Sequence, residues 1–553
     1  MKRRDFLHLM RTPAPGRSVL NPVFSPVETL GTGLEAYSGP WEIAQVIHLL
    51  RRVMFGAKWE DIQFFLQSDP DTAVETLLTA GEAPPLPVND YNSENFTDPA
   101  VPSGDTWVNA FYDLSAEPYR IASLKSWWVG NLIDQESNII EKLILFWHNH
   151  IPVQFGEVFY AAWNFRYVDT LRQNALGNFR DMIKAMTLDP AMLHFLNGQF
   201  NSAGAPDENY ARELQELFCI GKGPDSQYTE EDVREAARIL TGWRVNYLTN
   251  EIFFQPLEHD SGDKQFSSFY GNQLIQGKTG SQGAEELDEL LDMILANDEC
   301  ALFLCRKIYR FFVYHEIDEL TEEMVIGPLA QVMRDNNYEL RPVLAVLFKS
   351  QHFFDMLQYG AQIKGPMDHL IGMYREFHTP IPDRTMLMDR YQHNATVHYV
   401  GALFLQNLGD PPNVSGWPAY HQAPVFDKSW ISTDTLPRRA QFSDWLLWAG
   451  ISTENFLSQL DILGTVAQLP NPGDPNALVD DILKWMYSIN LPLQFRLQLK
   501  AILLSGQISD YYWTDAWVAY VNDPTNEMKR ETVRNRLLPF FYTILHQEEY
   551  QLS

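Results

Sequence analysis

Two histidines stand close together in the segment LILFWHNHIP at 143–152, where His148 and His150 are two positions apart. In a continuing α-helix such positions point about 200° apart and cannot share a ligand. Pro152 disfavours helical backbone at Ile151, so we expect the helix to end here and the two rings to converge. The negative helix end would favour protonated rings. Converging histidines can hold a metal ion if carboxylates complete the set, or they can cap the last helical carbonyls.

Acidic residues and one arginine share a face of a second predicted helix, in the segment PDENYARELQELF at 206–218. On a helical wheel Arg212, Glu213 and Glu216 fall within about 100° of one another. In an ordinary amphipathic helix this face is solvated. Alternatively, Glu213 and Glu216 form a carboxylate pair that binds a cation or divides acid and base roles. Arg212 would then orient an anionic group, with Glu208 completing the ligand site.

The polar turn HDSGDK at 259–264 contains a third group of chemically capable side chains. A turn can present His259 and Asp260 at its edge, where they could act as metal ligands or as a general base. The same composition is also typical of any polar turn. The residue types therefore leave a functional and an architectural interpretation open.

The loop PPNVSGW at 411–417 carries an aromatic residue between stiff or turn-forming neighbours. Trp417 could stack on a flat ligand such as a sugar ring, because an indole offers a broad apolar face. The same ring could instead pin the loop into the core.

These segments together predict one polar pocket between facing helices, where helical proteins commonly build their sites. Its members are His148, His150, Glu208, Arg212, Glu213, Glu216, His259 and Asp260. In an enzyme, a divalent metal held by His148, His150 and Glu213 would activate a water molecule. Glu216 would take part in general acid–base catalysis. The reaction would be hydrolysis of an envelope glycan or ester. In a ligand-binding module, Arg212 would pair with Glu208 and Glu216, and the Trp417 loop would recognise the ligand.

Helices must position these groups, because apolar residues recur at helical spacing along most of the chain. We predict a mainly α protein, a multi-helical array in one continuous body, with a small β-hairpin or meander near 245–275. Residues 1–40 form an extended arm, 41–437 the main body, and 438–553 a C-terminal helical part packed on it. Within this array Thr229 and Asp232 predict a capping box, and Gly221 a helix end.

The acidic composition narrows the classes of partner. The chain has 553 residues and a formal net charge of −29. A field of that sign repels phosphate backbones, so we predict no nucleic-acid binding. No phosphate-binding glycine loop, nucleophile elbow or HExxH motif occurs, which disfavours common nucleotide enzymes, serine hydrolases and zincin-type metalloproteases.

The N-terminal segment MKRRDFL at 1–7 is similar to a twin-arginine export signal. Such signals continue into an apolar run of about 7–15 residues. Here His8, Arg11 and Pro13 interrupt that run, so the signal is degenerate. No later stretch reaches the roughly 18 apolar residues of a membrane span, and we predict none.

The order of these motifs resembles a known bacterial family, the domain of unknown function DUF1800. The resemblance rests on FWHNH at 146–150, DENYARELQELFCIG at 207–221, YTEEDVREAARILTGW at 228–243, HDSGDK at 259–264 and PPNVSGW at 411–417. It implies a protein that is often exported and is therefore periplasmic or secreted, although the degenerate signal leaves a cytoplasmic location open. It also implies a partner, the product of a neighbouring sulfatase-like gene of the DUF1501 type. It carries over no catalytic residues.

Overall fold

The computed structural model of the chain describes residues 33–247 and 249–553. The fold is mainly α, as the sequence predicts. The helices before the first strand, α1 to α11, are Ile43–Val53, Trp59–Phe65, Pro70–Leu77, Glu117–Asp134, Ile140–His150, Phe155–Val158, Ala161–Asn174, Phe179–Thr187, Pro190–Phe195, Asn209–Glu213 and Glu230–Ile239. Helices α12 to α24 are Glu286–Leu295, Asp298–Phe312, Glu319–Thr321, Gly327–Asp335, Leu340–Phe348, Pro366–Glu376, Leu387–Leu403, Thr435–Asp444, Ile462–Ala467, Pro475–Met486, Leu493–Leu503, Tyr511–Val521 and Glu527–Leu545.

Shorter helical turns continue or connect these helices. The π-helical turns span Leu214–Cys219, Glu322–Ile326 and Trp445–Ala449. The 3₁₀ turns span Gly198–Phe200, Pro256–Glu258, Ser268–Tyr270, Gly280–Glu285, Met356–Gln358, Pro418–Tyr420, Phe426–Trp430 and Glu548–Gln551. The π-helical turn at Leu214–Cys219 follows α10 directly, so the predicted helix across this segment is regular only in its first part.

Three antiparallel strand pairs complete the fold. Strand β1 (Trp243–Val245) pairs with β2 (Ile252–Phe254), and β3 (Lys264–Gln265) pairs with β4 (Leu274–Ile275). These two pairs are the small β element predicted near 245–275. A third pair, β5 (Ile451–Ser452) with β6 (Leu457–Ser458), was not predicted. Two-residue strands carry too little alternation to be recognised from sequence.

Helix α5 carries both predicted histidines and lies in the interior, since every one of its residues is buried. Its polar residues stand towards the two ends of the helix and contact partners within the protein, as Glu141 contacts Arg172 and Lys142 contacts Asp368. It packs against α7, while α4 packs along α18. A Cβ at Gly130 on α4 would lie only 2.6 Å from Nδ2 of Asn394, so glycine permits this close approach.

One connected apolar core includes residues from Val46 to Tyr550. The C-terminal part contacts α1 and the turn that follows it. Nε1 of Trp485 donates a hydrogen bond of 2.8 Å to the carbonyl oxygen of Ala57. Nη2 of Arg51 donates one of 2.6 Å to the carbonyl oxygen of Trp485. The two hydrogen bonds and the buried indole hold together segments that are more than 400 residues apart in the sequence.

The N-terminal arm is described only from residue 33 onwards. The ring of Tyr37 lies 4.5 Å from the ring of Phe354, centroid to centroid. The backbone nitrogen of Tyr37 donates a 2.8 Å hydrogen bond to the carbonyl oxygen of Lys349. The twin-arginine segment predicted at 1–7 lies outside the described residues.

Candidate functional site

His148 is fully buried near the C-terminal end of α5. Its Nδ1 lies 2.9 Å from the hydroxyl of Tyr167, which itself donates a 2.8 Å hydrogen bond to the carbonyl oxygen of Ile151. The hydroxyl proton is thereby used, so Nδ1 must carry a proton and donate. That tautomer leaves a lone pair on Nε2, which has no hydrogen-bond partner among the described residues.

Aromatic rings surround the imidazole of His148. Its ring centroid lies 5.1 Å from that of Trp128, 5.5 Å from that of Trp417 and 5.9 Å from that of Phe155. Burial lowers the pKa of His148 to about 3. The charge effect of the helix end was expected to favour the cation, but removal from water outweighs it. The ring is neutral at physiological pH.

His150 contacts a different part of the protein. Its Nε2 donates a 2.9 Å hydrogen bond to the carbonyl oxygen of Phe218, in the π-helical turn. Burial, with a smaller contribution from Lys307, lowers its pKa to about 3. The two rings therefore do not share a hydrogen-bond partner: His148 joins α5 to α7, and His150 joins α5 to the turn after α10.

The acidic face of α10 is held by ion pairs. Arg212 pairs with Glu208 at 3.0 Å and with Glu230 of α11 at 2.7 Å. Glu216 instead contacts Lys222, so the predicted Arg212–Glu216 pair is not formed. The π-helical turn is the physical reason, because it moves Glu216 away from its position on an α-helical wheel.

Glu213 lies beside these pairs and has a carboxyl group that is only partly engaged. Burial raises its pKa, and the neighbouring charge of Glu216 raises it further. Its Oε2 has no hydrogen-bond partner within residues 33–247 and 249–553. This is the expected behaviour of two nearby carboxylates, since like charges disfavour joint ionisation.

The polar turn at 259–264 is fixed by buried charges. Arg238 of α11 binds Asp260 in a bidentate manner, at 2.8 and 3.0 Å. Nε2 of His259 lies 3.2 Å from Oε1 of Glu286 on α12. Lys264 contacts the same carboxylate, and both charged side chains are fully buried. The turn therefore forms its own network with α11 and α12.

Trp417 is pinned into the core, the architectural alternative for its loop. Its backbone nitrogen donates a 2.8 Å hydrogen bond to Oδ1 of Asn149, and its ring packs on His148. Gly416 has φ +81°, and a Cβ there would collide with the backbone oxygen of Asn149. The FWHNH and PPNVSGW motifs thus meet at one junction.

The predicted residues fall into separate groups. His148 and Trp417 are in contact, as are Arg212 and Glu208, and His259 follows Asp260 in the turn. No hydrogen bond or ion pair of the described residues connects one of these groups directly to another. Within the described residues, no group of three or more His, Cys, Asp or Glu side chains is arranged to hold a metal ion. The predicted metal ligands His148, His150 and Glu213 therefore do not form such a group.

An open groove of about 320 Å³ lies beside the Trp417 junction. Pro412, Trp417, Pro418 and Trp430 contribute its mostly apolar walls. Such a volume is in the range of sites for small molecules, about 300–1,000 Å³. Its lining residues are Ala402, Leu405, Asn407, Asp410, Pro412, Trp417, Pro418, Ser429 and Trp430.

The three polar residues at this groove, Asn407, Asp410 and Ser429, were not predicted as site residues, and the first two make contacts that bear on the groove. Asp410 contacts Lys125 and accepts a 2.8 Å hydrogen bond from the backbone nitrogen of Gly156. Oδ1 of Asn407 is shielded from solvent and has no hydrogen-bond partner among the described residues. The sequence signal for both was the turn-forming stretch NLGDPP at 407–412, which resembles an ordinary loop until its neighbours are known.

Fold and site together define a mainly α-helical protein with a groove walled by tryptophan and proline. The profile of the family described as "Protein of unknown function (DUF1800)" matches residues 48–552, and the chain belongs to this family. Comparison with curated proteins and with solved structures finds no significant match. No helix of the described chain combines the length and hydropathy needed to cross a lipid bilayer.

Proposed function

We propose that the protein binds a neutral, hydroxylated ring compound, such as a sugar unit of an envelope glycan, in the groove beside Trp417. The observation that carries this proposal is the groove itself, with stiff apolar walls and one unpartnered acceptor, Oδ1 of Asn407. Trp417 and Trp430 are only 1% and 3% exposed, so the C–H face of a sugar ring would pack against the apolar wall as a whole, with Leu405 and the prolines, rather than stack on an indole face. A ligand hydroxyl would reach this shielded acceptor when the Asn407 amide turns towards the groove, and the new hydrogen bond would remove the cost of leaving the oxygen unpaired.

The surroundings of the groove favour binding over chemistry. Asp410 is already neutralised by Lys125, so the walls offer no free charge to a ligand. His148 lies behind Trp417 as a neutral, enclosed ring. The alternative, metal-assisted hydrolysis of an envelope glycan or ester, needs a set of metal donors that the described residues do not contain. We therefore place the function in recognition.

Calorimetric titration with a panel of envelope sugars and oligosaccharides tests the proposal. Leu405 is 55% exposed at the groove, and Leu405→Glu would place a charge against an apolar ligand face. Asn407→Ala removes the acceptor. We expect each variant to weaken binding about tenfold or more, which corresponds to roughly 1.4 kcal/mol.

The control is Leu493→Glu, since Leu493 is 70% exposed and is not part of the groove. It should bind as the parent does. The proposal fails if the parent binds none of the panel, or if both groove variants bind like the control. Release of cleaved sugar during the titration would instead favour the hydrolase.

The resemblance to the family adds a location and a partner to this proposal. We propose that the binding role is an accessory one at the cell envelope, together with the neighbouring sulfatase-like gene product. Fractionation of the native host and co-purification from it test both parts. Full-length protein found only in the cytoplasm would refute the location, and failure to recover the neighbour would refute the partnership.

A further inference from the structure

A small, partly enclosed cavity lies on the inner side of Trp430, away from the predicted site residues. Helix α1 contributes Arg51 and Arg52 to it, α5 contributes Lys142 and α13 contributes Arg310. A volume of about 30 Å³ is open to the centres of water-sized molecules. That is room for about two waters, or for a single phosphate, sulfate or carboxylate group.

Two of the four cations have carboxylate partners. Arg51 pairs with Glu376 at 2.8 Å, and Lys142 contacts Asp368. Asp427, the other carboxylate of the lining, lies 3.0 Å from Nδ1 of His315 and also accepts a 2.8 Å hydrogen bond from a backbone nitrogen. The carboxylates around the cavity are therefore already engaged.

Arg52 is only 2% exposed and makes no ion pair with an Asp or Glu side chain in the described chain. Its guanidinium donates to the oxygens of Val313, Gln358 and Ser553, at 2.8, 2.7 and 3.0 Å. Its Nε has no hydrogen-bond partner among the described residues. Burial lowers the pKa of Arg52 to about 10, which reports how poorly its charge is solvated.

Arg310 is the second cation without a counter-charge. No ion pair is formed by its side chain within the described ranges, and its Nε is likewise without a hydrogen-bond partner there. The four cations face three carboxylates, Asp368 and Asp427 of the lining and Glu376 beside it, which leaves an excess of one positive charge. Counting the Ser553 oxygen that Arg52 contacts as a carboxylate would balance the number of charges and would still leave Arg310 without an ion-pair partner.

The positive charge continues behind the cavity. Burial lowers the pKa of Arg439 to about 9 and that of Lys364 to about 7. Nη1 of Arg439 donates a 3.0 Å hydrogen bond to the backbone oxygen of Lys364, whose Nζ lies 4.1 Å from the centre of the Tyr550 ring. Neither side chain forms an ion pair with a described residue, and at neutral pH Arg439 carries a positive charge whereas Lys364 is only about half protonated.

We propose that this cavity binds a small oxyanion, either a free inorganic ion or the anionic group of a larger ligand. A guanidinium removed from water without a counter-charge is unfavourable, and an anion held between Arg52 and Arg310 would supply that counter-charge. Guanidinium groups also match the geometry of oxyanions. The site stands out because the whole chain has a net charge of −29 and repels anions elsewhere.

Titration of the full chain with sodium phosphate, sodium sulfate and sodium acetate, at constant ionic strength, tests this proposal. We expect a saturable rise in Tm and a calorimetric Kd for at least one of these ions. Arg310→Gln should weaken that Kd about tenfold or more, whereas Arg310→Lys should retain part of the affinity. Arg52→Gln should also weaken the binding of the anion. If Arg52→Gln does not fold, the Kd of Arg310→Gln alone decides the test.

The matched control is Arg234→Gln, because Arg234 has a 56% exposed side chain and pairs with Glu231 away from the cavity. It should bind like the parent. A response that does not saturate, or an equal Kd in Arg310→Gln and the parent, overturns the proposal. Saturation by phosphate or sulfate assigns a free inorganic ion, and saturation by acetate alone assigns the carboxylate of an organic ligand. Sugar binding in the groove is measured separately and is expected to be unchanged in Arg310→Gln.

Discussion

At the scale of single residues, the motif FWHNH acts as a set of anchors. Trp147 donates a 3.0 Å hydrogen bond to the carbonyl oxygen of Ala175, and Asn149 accepts one from the backbone of Trp417. His148 and His150 contact Tyr167 and Phe218. These four side chains thus join α5 to α7 and its C-terminal end, to the turn after α10 and to the Trp417 loop. A buried polar group needs such a partner, so packing alone can require these residue types.

The first prediction concerns Gly416→Ala. The added Cβ would lie 2.5 Å from Oδ1 of Asn149 and would also strain a backbone at φ +81°. We expect a fall in Tm and loss of the Trp417–Asn149 contact, with an unfolding free energy lower by about 3 kcal/mol or more.

Gly104→Ala separates the two causes, because Gly104 has φ +85° and nothing within 4 Å of an added Cβ. It should show only the backbone cost of about 1 kcal/mol. Thermal and urea unfolding of both variants measure the difference. Equal losses would mean that the Asn149 contact contributes nothing.

At the scale of elements, ion pairs between partly or fully buried side chains attach the β region to the helices. Lys264 of β3 and Glu286 of α12 are both fully buried and in contact, and His259 lies against the same carboxylate. Asp260 is bound by Arg238 from α11. The turn is therefore a connector between two helices. Packing and ion pairing are sufficient reasons for His259 and Asp260 to stand in this turn.

The second prediction concerns Glu286→Gln. The substitution keeps the shape but leaves Lys264 buried without its counter-charge. Breaking such a pair costs about 3–5 kcal/mol. We expect a lower urea midpoint, and the double variant Lys264→Met/Glu286→Gln should recover part of the loss because no unpaired charge remains.

The neighbouring variant Glu285→Gln is the control, since Glu285 has a 60% exposed side chain in its pair with Lys278. It should change the unfolding free energy by about 0–1 kcal/mol. If Glu286→Gln is as mild as this control, the buried pair does not hold the turn.

At the scale of the whole molecule, one core contains residues from both ends of the described chain. Several histidines lie inside it as neutral rings. Burial holds the pKa of His48 and His369 well below the usual value, as it does for His148 and His150. Protonating these rings requires the core to open, so the stability of the molecule is linked to acid pH.

The third prediction is that stability falls as the pH drops from about 6.5 towards 3. The unfolded chain binds protons on these histidines below their ordinary pKa of about 6.5, whereas the folded chain excludes them. The folded pKa is lowered, so the contribution is fully present above pH 6.5 and is lost as the pH falls. Each such ring adds a slope of about 1.4 kcal/mol per pH unit inside that window.

Urea unfolding between pH 7 and 4.5 measures this slope. His148→Gln and His150→Gln should each lower this slope by about 1.4 kcal/mol per pH unit, the contribution of one proton bound on unfolding. His546→Gln is the control, because His546 has a 25% exposed side chain that pairs with Asp444 and leaves the buried rings in place. Identical slopes in the parent and both core variants would contradict the linkage.

Much of the local structure can be predicted from neighbouring residues in the chain. The helix starts, the Thr229–Asp232 capping box, the turn at Gly221 with φ +89° and the β element near 245–275 all follow from residues a few positions apart. Helical spacing likewise indicated the α-rich fold. Each of these features depends on backbone preferences and short-range hydrogen bonds, which a sequence displays directly.

The partner of each polar side chain could not be predicted in this way, because it depends on how distant segments pack together. Trp417 and Asn149 are 268 positions apart, and Arg51 and Glu376 are 325 apart. The polar residues near 148, 212 and 259 were predicted to converge, but their contacts lie in separate parts of the chain: Tyr167 and Trp417, Glu208 and Glu230, and Arg238 and Glu286. Carboxylates, imidazoles and guanidinium groups can pair in many combinations with similar energies. Which of them meet is set by how the helices pack, and packing is decided by the whole apolar core at once.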